Sequence, residues 1–166
     1  TAAEIQSLTG LTRQAAVASV MDFTSAPAVV RPAVDDRDNQ WDCYVNAQEW
    51  WVERMRTTNK PLQEKMTLFW HNHFGSGQDK LFDMTAMFDQ NQKFRTLGMG
   101  NFETLCQQIA VDPAMLIYLD NATNRVGAEQ ENFARELMEL FTLGVGHYTE
   151  QDVVAMAKAW TGHNIV

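Results

Sequence analysis

The sequence predicts an all-α fold of about seven or eight helices with no sheet, and three observations carry that expectation. Apolar residues recur at helical spacing through most of the chain, and no stretch sustains the alternation of a strand. Only four prolines stand among 166 residues, so long helices can run unbroken. Nine Met, nine Phe and five Trp supply the large, adaptable side chains that fill gaps between helices. The length suits one domain, residues 1–166. A formal charge of −8 has the wrong sign for phosphate backbones and anionic lipid, so nucleic acid is not an expected partner. No run approaches about eighteen apolar residues, so no membrane span is expected. The chain opens at Thr1 without a charged-then-apolar leader, and any signal peptide is expected to lie outside it.

Leu11 to Met21 is Ala-rich with apolar positions at 11, 15, 18 and 21, which predicts a helix. Thr24 to Asp38 carries two Pro, five charges and no period, and is expected to be an internal linker or surface loop. Tyr44, Ala47, Trp51 and Met55 restore a helical face over 41–56. Pro61 suits the first turn of the next helix, which is expected to stop at Gly75 with Met66, Phe69, Trp70 and His73 on one face. Met84, Met87, Phe88, Asn91 and Phe94 align in another helix, with Gly98 expected as the glycine just past its end. Asn101 can cap a helix through Val111, and Asp112 with Pro113 forms a cap and first-turn pair for a short one. Asn121 to Gln130 is expected to be a polar loop. Glu131 to Leu143 predicts a strong helix ending at Gly144, and Thr149 with Asp152 resembles a capping box before a last helix ending near Gly162.

Two segments go beyond generic helix. PLQEKMTLFWHNHF (Pro61 to Phe74) and ENFARELMELFTLGVGHYTEQDV (Glu131 to Val153) closely resemble the bacterial family known as domain of unknown function 1800. DPAMLIYLDN (Asp112 to Asn121) and Thr161-Gly162 also match its pattern, so the resemblance runs from about Trp50 to Gly162. Glu129-Gln130 depart from it, because the family usually reads Pro-Asn there. The resemblance implies a piece of a longer, exported bacterial protein, periplasmic or extracellular. The expected partner is the remainder of that protein or a second copy. It supplies no activity.

The candidate functional groups are the polar residues inside those two apolar motifs: Glu64, His71, His73, Glu131, Asn132, Arg135, Glu136 and Glu139. Glu64 and His71 lie two turns apart on one helix face, while His73 is rotated by about 200° from His71. Asn132, Glu136 and Glu139 share a side of the second helix, and Glu131, Arg135 and Glu139 form a ladder at i, i+4 and i+8. Carboxylates facing imidazoles can hold one divalent metal ion, with His71, His73, Glu64 and Glu136 as the ligand pool. A di-metal bundle is not indicated, because it requires Glu-x-x-His pairs that neither helix has. The plainer expectation is structural. Arg135 would satisfy Glu131 and Glu139 locally, Glu64 would pair with an arginine or cap a neighbouring helix, and His73 would be a hydrogen-bonded core histidine.

His147 and His163 follow helix ends and are expected to be exposed. FGSGQD and GMGN lack the lysine of a phosphate loop, and no serine sits in a nucleophile elbow. Cys106 on an apolar helix is expected to pack as a small hydrophobe, and whether Cys43 and Cys106 pair is open. The aromatic stretch from Trp41 to Trp51 admits a sugar platform, although helical spacing favours core. Trp50 and Trp51 point about 100° apart, so one of them is expected at an interface. Three functions therefore stand: a helical scaffold or interaction module, a metal-dependent enzyme with its His/Glu site between the motif helices, and carbohydrate binding through Trp.

Overall fold

The computed structural model describes the backbone of residues 2–32, 40–81, 83–163 and 165. Ten α-helices cover these residues, seven of them seven residues or longer, and no strand is formed among them. In chain order they are α1 (Ala2–Leu8), α2 (Arg13–Met21), α3 (Gln40–Thr57), α4 (Pro61–Phe74) and α5 (Gln78–Leu81). There follow α6 (Met84–Leu97), α7 (Phe102–Ala110), α8 (Pro113–Tyr118), α9 (Asn132–Glu136) and α10 (Glu150–Ala159). A 3₁₀ turn spans Asn121–Thr123, and α9 runs directly into a π-helical segment, Leu137–Thr142.

Most helix ends are set by residues whose chemistry announces them. The Asp112 carboxylate accepts from the backbone N–H of Ala114 and Met115, and the side chain of Asn101 accepts from Thr104. Thr149 and Asp152 complete a capping box at the start of α10. Gly75 ends α4 in the left-handed conformation, φ 51°. Gly98 differs from expectation. It keeps right-handed helical angles, so it is not a left-handed cap, and its smallness serves a neighbour instead. A Cβ there would stand 2.5 Å from Trp70, whose indole N–H donates to the Gly98 carbonyl at 2.6 Å.

The main core joins α4, α6, α7, α8 and the second motif through Phe74, Phe94, Leu105, Ile109, Met115 and Phe133. Phe74 is 1% exposed and stacks on Phe94 with ring centroids 5.8 Å apart. α4 and α6 form the most extensive helix pair, which centres the first motif in the fold. Ala134 and Met138 pack on Val153 and Ala157, seating α10 on the second motif. Cys43 is buried and Cys106 half-buried, both as thiols.

Two further expectations change in part. The polar loop after Asp120 is not a surface feature throughout, because Asn121 and Asn124 are each 1% exposed. Asn124 donates to the carbonyl of Ala157 at 2.8 Å and to Asn121 at 3.0 Å, and its own side-chain oxygen accepts from Gln130 N–H. The end of α10 is thus anchored by asparagines. His163 is half-buried, its ring 4.7 Å from that of Trp160, while His147 is exposed. Of the expected linker, residues 24–32 are non-helical, and 33–38 lie outside the described residues.

Candidate functional site

α4 is the helix around which the candidate groups are arranged, and its spacing sends them to different surroundings. Glu64, 1% exposed, points into the interface with α3 and α6. Arg54 from α3 donates to its Oε1 at 2.6 Å, and Arg95 from α6 grips both oxygens, at 2.7 and 2.8 Å. The indole N–H of Trp51 adds a fourth donor at 3.0 Å. Burial pushes the Glu64 carboxyl up, but the hydrogen bonds and charges of Arg95, then of Arg54 and Trp51, outweigh it and hold the group below its ordinary value. Arg54 spends its other nitrogens on the carbonyls of Ala28 and Pro27, tying that segment to α3. A carboxylate with four donors has its lone pairs committed. Glu64 is therefore the centre of an ion network.

His71 faces a separate pocket of about 190 Å³ between α3 and α6. Its ring meets Trp51 edge-on at 5.2 Å and Phe94 at 6.2 Å, and burial lowers its pKa, which favours the neutral imidazole. Trp50, Trp51, Met87 and Phe88 form the apolar wall, with Tyr44, Gln48, Ser76 and Asn91 as polar members beside His71. Trp50 and Trp51 both find partners inside the chain. Trp50 packs on Phe88 at 5.1 Å, with the Arg95 guanidinium 5.7 Å from its centroid. Trp41 alone of the three is exposed, at 63%.

His73 projects the other way, toward the second motif. Its Nε2 lies 3.1 Å from the Phe141 carbonyl, which can only accept, so Nε2 is the donor of this contact. Here the chain opens a cleft of about 460 Å³ whose lining includes His73, Asp79, Lys80, Asn132 and Glu136. Lys80 donates to Asp120 at 2.7 Å, and Asn132 to the same oxygen at 3.2 Å. Asp120 has φ 63°, the one non-glycine residue in the left-handed region among those described. Burial, and then repulsion from Glu139, raise the Glu136 carboxyl above its ordinary value.

The second motif departs from an ideal helix, and this rearranges its acidic side. At Leu137–Thr142 the ladder widens to i, i+5, so that Leu143 N–H donates to the Met138 carbonyl. Asn132 and Glu136 stay on the cleft, whereas Glu139 turns to accept the Tyr148 hydroxyl. Arg135 bonds Glu131 at 3.3 Å and grips Glu150 at 2.7 and 2.8 Å. The expected Glu131–Arg135–Glu139 ladder is thus half formed, with Glu150 of α10 in the place of Glu139.

Of the four proposed ligands, His73 and Glu136 share the cleft, His71 lines the other pocket and Glu64 lines neither. Among the described residues no three His, Cys, Asp or Glu side chains are grouped to hold a metal ion. The sequence does not single out Arg54, Arg95, Lys80 or Asp120, and it shows Asn91 only as a member of an aligned helix face.

A family model described as "Protein of unknown function (DUF1800)" matches residues 1–166, the whole chain. No curated protein and no solved structure matches it. No helix among the described residues is long and apolar enough to cross a membrane.

Proposed function

Because the chain belongs to the family described as protein of unknown function (DUF1800), a description that carries no activity, we propose its role from its surfaces: a helical interaction module of a longer, exported bacterial protein. One observation carries this reading. Helix α2 buries none of its nine residues, although Val17, Val20 and Met21 are 50, 38 and 45% exposed. An isolated helix shorter than about 12–15 residues is marginal in water, and most helical stability in proteins comes from packing an apolar face. With Leu62 of α4, Ala16, Val17, Val20 and Met21 line a shallow hollow. The occupant this surface suits is the remainder of the parent chain, covalently tethered and therefore at high effective concentration. Exported placement rests on the family resemblance of the two motifs.

Hydrogen exchange tests the reading. In the 166-residue chain alone, amides of Arg13–Met21 should exchange as fast as an unprotected peptide, and within the longer protein they should be protected at least about tenfold more. Equal exchange in both settings, or burial of α2 in a homodimer, overturns it.

A second reading, metal-assisted chemistry in the cleft, is favoured by the meeting of His73 and Glu136 there. Calorimetric titration with zinc should then show one saturable site that is lost in Glu136→Gln and retained in His71→Ala. Absence of binding in a folded wild-type chain removes this reading and leaves the first intact.

A further inference from the structure

The pocket beside His71 has properties that neither reading uses. Asn91 is 7% exposed, lines this pocket, and its side-chain oxygen is buried without a hydrogen-bond partner. A buried acceptor left unpaired costs about 1–3 kcal/mol, so such groups ordinarily have a partner. Ser76, the neighbouring hydroxyl, is already committed as a donor to Gln90. The lining contains no Asp, Glu, Lys or Arg, in a chain whose formal charge is −8. Its wall is Trp50, Trp51, Met84, Met87 and Phe88, and its volume of about 190 Å³ exceeds the roughly 150 Å³ of an apolar cavity that accepts benzene. Concave, mostly apolar pockets with a few convergent polar groups are the usual form of small-ligand sites.

We propose that this pocket binds a small neutral aromatic ring bearing one hydroxyl group, a phenol-like molecule, with the ring against Trp50, Met87 and Phe88 and the hydroxyl on the Asn91 amide. An uncharged ligand matches a lining without ionised carboxylate, ammonium or guanidinium groups, since burying a charge there carries a desolvation cost. A hydroxyl both donates and accepts, so it pairs with an amide presented either way round. A sugar ring fits less well, because most of the wall is apolar and, of its polar members, Gln48 already donates to Tyr44 and Ser76 to Gln90. The ring itself gains contact with aromatic and thioether groups, which favour π-systems at their edges and faces.

The test is calorimetric titration of the 166-residue chain with phenol, benzene and methyl glucoside, with indole N–H resonances locating the site. Phenol should bind saturably and at least about tenfold more tightly than benzene, because only phenol satisfies Asn91. It should move the indole resonances of Trp50 and Trp51 and leave that of Trp160 in place. Asn91→Leu should weaken phenol about tenfold or more and leave benzene unchanged. If that variant does not fold, the comparison of phenol with benzene on the wild-type chain still decides. Equal affinity for phenol and benzene, tighter binding of methyl glucoside, or no saturable binding of phenol overturns the proposal.

Discussion

Glu64 is one carboxylate facing two guanidinium groups, all three less than a tenth exposed. Removing it leaves two buried positive charges without a partner, whereas removing one arginine leaves a neutral pair. Glu64→Gln should therefore destabilise the fold by about 3–5 kcal/mol, as breaking a buried pair does, measured by urea unfolding at pH 7. Arg54→Met should cost less than Glu64→Gln in the same assay, and a smaller loss for Glu64→Gln would contradict the network's charge balance. The sequence disclosed the type of this interaction and not its members. Arg54 and Arg95 stand 10 and 31 positions away, on two other helices, and no local spacing links them to Glu64. Asn91 was visible only as a member of an aligned helix face. Its unpaired oxygen follows only from how α3 and α6 come together.

At the scale of the element, the caps were the most legible features because they are local chemistry. Asp112-Pro113, Asn101, Thr149 with Asp152, and Gly75 all set the ends that their side chains or backbone freedom imply. Thr149→Ala removes a side chain that accepts from Asp152 N–H and should lower stability by about 1 kcal/mol, read from thermal or urea unfolding. Thr161→Ala, whose hydroxyl accompanies only the Lys158 carbonyl on the surface, is the control with little effect. What stayed hidden were α1, α5 and the π segment. The first two are seven and four residues long, too short to display a period. The π segment inserts one residue into the ladder, and a periodicity read at 3.6 residues per turn cannot register a local change of phase. That change decides the site: it separates Glu139 from Asn132 and Glu136 and brings the Phe141 carbonyl to His73.

Across the whole molecule, the all-α class was readable because patterning and scarce proline agree everywhere, while the placement of groups relative to the clefts depends on helix packing. The same packing sets a pH response. His71 and Glu64 both titrate lower in the fold than when unfolded, from ordinary values of about 6.5 and 4.5, so the unfolded chain takes up protons first. Stability is full above about pH 6.5, falls as the pH drops toward the folded value of His71, and falls again below about pH 4.5 as it approaches and passes that of Glu64. Glu136 runs oppositely. Its raised carboxyl costs stability as the pH rises above 4.5 through its folded value, which offsets part of the first decline. Urea unfolding from pH 2 to 8 should show the two stages, and His71→Asn should abolish the upper one; a flat profile in the wild type would refute the assignment. The indole of Trp51 sits 3.0 Å from the carboxylate at the centre of this network and edge-on to His71, touching both titrating groups. The chain thereby carries its own optical gauge. A negative charge beside an indole nitrogen alters the energy of its excited state, so the emission colour of one tryptophan encodes whether the interior still holds its charges.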